Sequence, residues 1–244
     1  MLYGIDISNW QAGLDVKKVA PSIDFLIAKA TEGIGYVDKC CDGFIQDAIK
    51  CDLLWGFYHF ARNNDPAKEA SYFYENCKNY FGKGVPVLDI ESESIPDWGH
   101  WAQVFVDKIH AITGVYPIVY TSAAYLNRFA TTTIPQRCGL WVAGYPTNDK
   151  VGFKPERTLP YGIDPWNIVA MWQFSSRGVV DGYKNLLDVD YAYIDGNAWM
   201  KYAKGDGVPA DETVDIPVPK KVHRFEDDNF IIDITEKLSS GPEK

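Results

Sequence analysis

Short apolar runs recur along the chain, each closed by turn-forming residues. They fall at 2–7, 24–30, 53–60, 85–90 and 115–120, with weaker ones at 140–143, 168–174 and 186–189. Runs this short suit strands buried on both faces of a parallel sheet. The segments between them carry helical spacing. Asp65-Pro66 sets an N-cap before a proline at the first helical position, and Ala70, Phe73, Tyr74, Cys77 and Phe81 follow three or four apart. Trp98, Trp101, Phe105, Ile109 and Ile112 repeat the pattern, with Gly114 where a C-terminal cap belongs. Strand and helix in alternation predict βα units. No Gly-x-Gly-x-x-Gly follows any run, which favours a closed barrel over a doubly wound sheet. Clear helices are fewer in the second half. The predicted fold is therefore α/β, an irregular TIM-like (β/α) barrel with an incomplete helical ring.

The pattern changes near Gly205. The stretch GDGVPADETVDIPVPKK, rich in Pro, Gly and acid, reads as a linker. The expected organisation is a barrel at 1–204, a linker at 205–221 and a short tail at 222–244. The tail's one apolar patch (Phe225, Phe230, Ile231, Ile232, Ile234) is too small for a core of its own. It is a candidate for packing back on the barrel, for pairing as a strand with another chain in self-association, or for a remnant of a wall-binding module.

A chain of 244 residues, 46% hydrophobic, is long enough for one barrel domain. Its net charge of −9 argues against nucleic acid as a partner. No apolar run is long enough for membrane insertion. Five cysteines, with no C-x-x-C among them, fit reduced thiols rather than a disulfide framework. The start, MLYGID, lacks the basic and apolar regions of a signal peptide.

The sharpest chemical feature is Val87-Leu88-Asp89-Ile90-Glu91-Ser92. Along a strand, alternate side chains share a face, so Asp89 and Glu91 point the same way. Two like charges on one face hold a proton more tightly than either alone, which suits a general acid near neutral pH. Barrel folds place catalysis at the C-terminal ends of their strands. A solvated acidic strand end is the plain alternative. Asp6 ends the first run, where an Asx-turn would account for it equally well. Asp188 and Asp190 share a face of the last run. The D-x-D-x-D-G calcium loop is missing, as is any paired-His zinc motif, so neither a metal nor another cofactor is implied. His59, within an aromatic strand, reads as a hydrogen-bonded inner-barrel residue. Tyr58, Tyr120, Trp141, Tyr145 and Trp172 sit at or near strand ends; each alone is core, but as a set they could line one mouth of the barrel.

Eight segments then fall in a familiar order: GIDISNWQ (4–11), FLIAKATEG (25–33), WGFYHFAR (55–62), PVLDIES (86–92), PIVYTS (117–122), LWVAGY (140–145), MWQFSS (171–176) and LLDVDYAY (186–193). Together they resemble the family-25 glycoside hydrolases, the N-acetylmuramidases of bacteria, fungi and bacteriophage lysis cassettes. The resemblance covers residues 2 to about 200. It implies an enzyme that cuts the β-1,4 bond between N-acetylmuramic acid and N-acetylglucosamine in peptidoglycan glycan strands. It implies Glu91 as general acid, with Asp89, Asp6 and Asp188 as its catalytic partners; Leu187 replaces the Val usual before the last. Glu32, Tyr58, Tyr120, Trp141, Tyr145, Gln173 and Asp190 are the expected substrate-binding residues, Asp190 ranking below Asp188.

Three rivals stand beside this reading. A chitinase of similar fold would need a longer D-x-x-D-x-D-x-E element. A non-catalytic glycan-binding barrel would not need all four acids. The third is a structural role in a phage particle. With no signal peptide and a cell-wall substrate, the expected location is a host bacterial cytoplasm. The enzyme, as an endolysin, would reach the wall through a separate membrane pore.

Overall fold

A computed structural model describes residues 1–153 and 158–205; most of the expected linker and the whole tail lie outside the described residues. The strands are β1 (Leu2–Ile7), β2 (Phe25–Glu32), β3 (Tyr36–Val37), β4 (Leu54–Phe60), β5 (Val85–Asp89), β6 (Ile118–Ser122), β7 (Leu140–Ala143), β8 (Val169–Gly178) and β9 (Leu187–Ala192). They form one sheet in the order β1-β9-β8-β7-β6-β5-β4-β2-β3, and β1 also pairs with β2. That pairing closes eight strands into a barrel and leaves β3 as a short hairpin partner hanging from β2.

All neighbours in the ring run parallel except β9, which is antiparallel to both β8 and β1. A wholly parallel sheet is thus incorrect at its last strand. Only residues 179–186 link β8 to β9, and a parallel crossover needs about a dozen or more. Consequently β9 begins at the mouth where the other strands end, and its Asp188 lies across from Asp6 of β1.

The helices are α1 (Val16–Val19), α2 (Cys41–Lys50), α3 (Pro66–Cys77), α4 (Trp98–Thr113), α5 (Ile134–Arg137) and α6 (Gly196–Lys204). The long ones that cover the barrel wall, α2, α3 and α4, all precede β6, so the helical ring is incomplete. The Asp65 carboxylate caps α3 by accepting from Lys68 N, and Gly114 ends α4 in the left-handed region at φ 75°. The regular pattern in α2 (Cys41, Phe44, Ile45 and Ala48 buried) and α6 had not been picked out in the sequence.

Alternation along the strands divides the core. Ile5, Leu88, Val119 and Val189 pack outward beneath helices and loops, whereas Phe25, Ile27, Val85, Val87 and Ile118 fill the barrel. After the antiparallel β9, α6 plugs the lower end. Its Trp199 ring packs on Phe25 at 5.0 Å between centroids, and its indole N–H donates to the Trp55 carbonyl at 3.2 Å. The interior is crowded enough that a Cβ on Gly4 would lie 2.3 Å from the Phe25 ring, and one on Gly56 2.8 Å from the Val85 carbonyl. Among the described residues, the filled bottom leaves the upper mouth as the open end.

His59 is hydrogen-bonded but not inside the barrel. Tyr58 takes the inward position, so the next side chain points outward, where His59 stacks on Phe105 of α4 at 5.1 Å. Its Nε2 lies 2.8 Å from the fully buried Glu69 of α3, and its Nδ1 2.8 Å from Thr31 Oγ1. Glu69 also accepts from the backbone N–H groups of Arg62 and Asn64, at 3.0 and 3.2 Å. This buried network fixes the loop after β4.

Candidate active site

The uppermost inward positions of successive strands converge on one cleft of about 400 Å³. Asp6, Lys29, Tyr58, Asp89, Tyr120, Trp141, Gln173 and Asp188 come from β1, β2 and β4–β9, and Glu91 and Tyr145 from the loops just beyond β5 and β7. The spacing of Asp89 and Glu91 does put both into the cleft, although β5 ends at Asp89. Asp6 and Asp89 are buried at its floor, Asp188 is half-buried, and Glu91 is exposed at the mouth.

A hydrogen-bond chain holds the floor. Tyr120 and Tyr145 both donate to Gln173 Oε1, at 2.9 and 2.6 Å. Gln173 Nε2 in turn donates to Asp6 Oδ2 at 2.7 Å. Tyr120, Trp141 and Gln173 edge the cleft, yet their polar atoms are committed to this scaffold. One expected substrate contact requires correction. Asp190 is completely buried and does not line the cleft; Trp141 Nε1 donates to its Oδ1 at 2.9 Å. The strand alternation that gives Asp188 and Asp190 one face also places Asp190 one layer deeper. Glu32 lies outside the cleft, in an adjoining arm, bound to the Lys29 ammonium and to Arg62 at 2.5 Å.

Crowding five carboxyls around one lysine shifts their acidity. Burial, with the Glu91 charge adding to it, raises Asp6 to about 6 against the opposing Gln173 hydrogen bond. Burial, then Asp6 and Glu91, raises Asp188 to about 8. Asp89 is pushed well above the carboxylate range by burial and then by Glu91. Asp190 is pushed likewise by burial and then by Asp6 and Asp188. Glu91 is raised by the desolvating cleft walls, opposed by Lys29 and Arg62. The repulsion within the Asp89–Glu91 pair therefore falls on Asp89, and it is desolvation that raises the proton affinity of Glu91. Asp89 Oδ1 and Asp190 Oδ2 are buried without a hydrogen-bond partner.

Sequence reasoning had not singled out Trp10, Lys29 or Arg62. Trp10, 88% exposed, stands where the cleft meets the arm. The signal for Lys29 was its parity with the inward-facing Phe25 and Ile27; Trp10 lies in a three-residue 3-10 helix (Asn9–Gln11) and Arg62 in an irregular segment, both too short for periodicity to aim a side chain.

A barrel mouth ringed by carboxyls and aromatic rings has the make-up of a glycoside hydrolase. Comparison with known proteins carries this further. The family model "Glycosyl hydrolases family 25" matches residues 5–183. The N,O-diacetylmuramidase of Chalaropsis is 32% identical over 76% of this chain and 93% of its own. The autolytic lysozyme of Clostridium acetobutylicum is 28% identical over 77% of this chain, which spans about half (54%) of that protein's length. Among solved structures, a family GH25 lysozyme from Aspergillus fumigatus is 28% identical with a TM-score of 0.67, over 84% of this chain and 99% of that one. The lysozyme of Streptomyces coelicolor shares the fold at a TM-score of 0.69 and 24% identity, over 83% and 97%. The chain belongs to glycosyl hydrolase family 25, and is a glycoside hydrolase of the lysozyme type.

Proposed function

We propose that this chain is an N-acetylmuramidase, cutting the β-1,4 bond after N-acetylmuramic acid in peptidoglycan, with Glu91 as general acid. One observation carries the reading: Glu91 lines the mouth of the cleft beside Asp89, where the desolvating walls raise its proton affinity above the ordinary carboxylate value. Asp89 lines the same cleft, and a carboxyl there is a place for a ligand's donor. The substrate's acetamido N–H supplies one. Glu91 gives its proton to the leaving glycosidic oxygen. Asp89 orients the acetamido group, whose oxygen bonds the anomeric carbon as the leaving sugar departs; water then attacks that carbon from the vacated face, giving its proton to Glu91 and releasing the acetamido oxygen, so the product retains its configuration. Asp6 and Asp188 complete the floor and set the field around that charge. The names of the relatives, lysozyme and N,O-diacetylmuramidase, support this substrate.

Mass spectrometry of reduced fragments from digested peptidoglycan tests the bond. Fragments ending in reduced muramic acid are expected. Reduced glucosamine ends would refute the assignment, and no new ends at all would favour a glycan-binding barrel. NMR of the first-formed anomer tests the retaining route, which an inverted product would eliminate.

The proposal extends to an endolysin made in a host cytoplasm. All five cysteines are free, which supports folding in a reducing compartment. Cells expressing the protein should lyse only when their membrane is opened. Lysis of intact expressing cells would contradict this extension and leave the chemistry standing.

A further inference from the structure

The catalytic cleft opens sideways into an arm of about 600 Å³, with which it shares Trp10, Lys29 and Phe60. The arm lies against β3 and the turn that precedes it, outside the closed barrel. Among the described residues eight large apolar side chains are exposed, and four of them gather on this flank: Trp10, Ile34, Tyr36 and Val37. Such clustering on an otherwise polar surface marks a contact site.

The arm also carries an excess cation. Glu32 accepts from both Lys29 and Arg62, so one carboxylate is shared by two positive groups. Lys29 and Arg62 each lie 4.6 Å from the Phe60 ring centroid. The Arg62 guanidinium uses Nε and Nη2 on Glu32 and stays about half exposed, which leaves Nη1 free to receive an anion. It does so from a rigid base. The buried Glu69 carboxylate holds the backbone N–H of Arg62, and the Trp101 indole donates to the Asn64 carbonyl at 2.9 Å. Gly33, at φ 50°, lets the turn approach this loop so closely that a Cβ there would lie 3.1 Å from Arg62 Cγ.

We propose that this arm receives the peptide stem carried by the muramic acid unit, with Arg62 pairing a stem carboxylate and Ile34 and Tyr36 packing against its side chains. The inference rests on the muramidase reading. Within that reading, charge selects the occupant. The sugar rings are neutral and the cleft is lined with carboxyls, so a cation set at its edge matches the anionic groups that hang from the glycan. Aliphatic Ile34 suits a peptide side chain better than a pyranose face, which stacks on flat rings.

The experiment compares two substrates: intact peptidoglycan, and the same glycan strands stripped of stems by an amidase. Initial rates are measured for the wild type, Ile34→Ser and Arg62→Gln, each across pH because Arg62 also acts on Glu91. The wild type is expected to cut both and to prefer the peptide-bearing strand. Each variant should lower kcat/KM on intact peptidoglycan, Arg62→Gln by about tenfold, the size of a lost charge-assisted hydrogen bond. Ile34→Ser should match the wild type on stripped glycan, whereas Arg62→Gln should shift the pH profile on both substrates and lose its extra tenfold only on the intact one. Ile34→Ser carries no charge change, so its loss cannot come from the acids. Equal losses on both substrates would put a sugar, or its lactyl carboxylate, in the arm and overturn the proposal. Wild-type rates on both would leave the arm without a ligand and overturn it too. Inactivity of the wild type on both strands would instead remove the muramidase reading beneath it.

Discussion

Asp190 shows how a sequence pattern can be read in the right direction and to the wrong depth. Its alternation with Asp188 correctly put both on the inner face of β9, but complete burial bars it from substrate. An ionised carboxylate with one indole donor and an unpartnered second oxygen would be strongly destabilising there. Asp190 therefore keeps its proton, with its Oδ2 unpartnered and the Asp6 carboxyl nearby. Asparagine is equally neutral, and its Oδ1 can still accept from the Trp141 indole. Asp190→Asn is expected to hold kcat/KM within a few-fold and leave thermal stability unchanged or raised, while Asp190→Leu, which leaves the buried Trp141 indole N–H without its acceptor, should lower thermal stability. Kinetics and melting curves of the two variants check this; a collapse of activity in Asp190→Asn would mean the carboxylate itself is needed. The depth was hidden because burial depends on the register Gly4↔Asp190, a pairing between the two ends of the described chain.

At the scale of elements, much of the barrel was legible. Runs 2–7 and 140–143 coincide with β1 and β7, and the caps of α3 and α4 fall where Asp65 and Gly114 put them. These signals are local: alternation, a side-chain cap, a left-handed glycine. The direction of β9 was not local, since it follows from a connection too short to cross back. The two-residue β3 was invisible for a similar reason, being defined by its pairing with Thr31 and Glu32 rather than by its own sequence. Close strand packing supplies a further test. A methyl added at Gly56 meets the Val85 backbone carbonyl, which cannot yield as a side chain tip can. Gly56→Ala should destabilise the protein by about 1–3 kcal/mol, the usual range for overpacking, as read from urea unfolding. An unchanged midpoint would show that the barrel interior has slack.

Across the molecule, the cleft sets reactivity against stability. Asp6 and Asp188 are held at about 6 and about 8 when folded, against an ordinary value of 3.8, so the folded protein binds these protons more tightly than the unfolded chain. Stability rises with pH only where the unfolded state binds more protons. Here the folded state binds more, so this contribution is present below about pH 4 and is lost as pH climbs through 6 and 8. The melting temperature should fall across that window, and Asp188→Asn should flatten its upper part. A wild-type curve that is flat from pH 4 to 8, or a variant with the wild-type slope, would contradict the assigned acid cluster. The same proton affinity that weakens the fold on the alkaline side serves the chemistry, because Glu91 acts only while protonated.

The most direct test of the whole account is Glu91→Gln, assayed beside the wild type on purified peptidoglycan near the wild-type optimum, with circular dichroism confirming both folds. Glutamine keeps the size and hydrogen bonding of the side chain but cannot give up a proton as an acid does. The account requires a fall in kcat of about 10²–10⁴, the usual worth of a positioned general acid, with little change in substrate binding. A correctly folded Glu91→Gln that released reduced muramic acid ends at close to the wild-type rate would place the chemistry elsewhere.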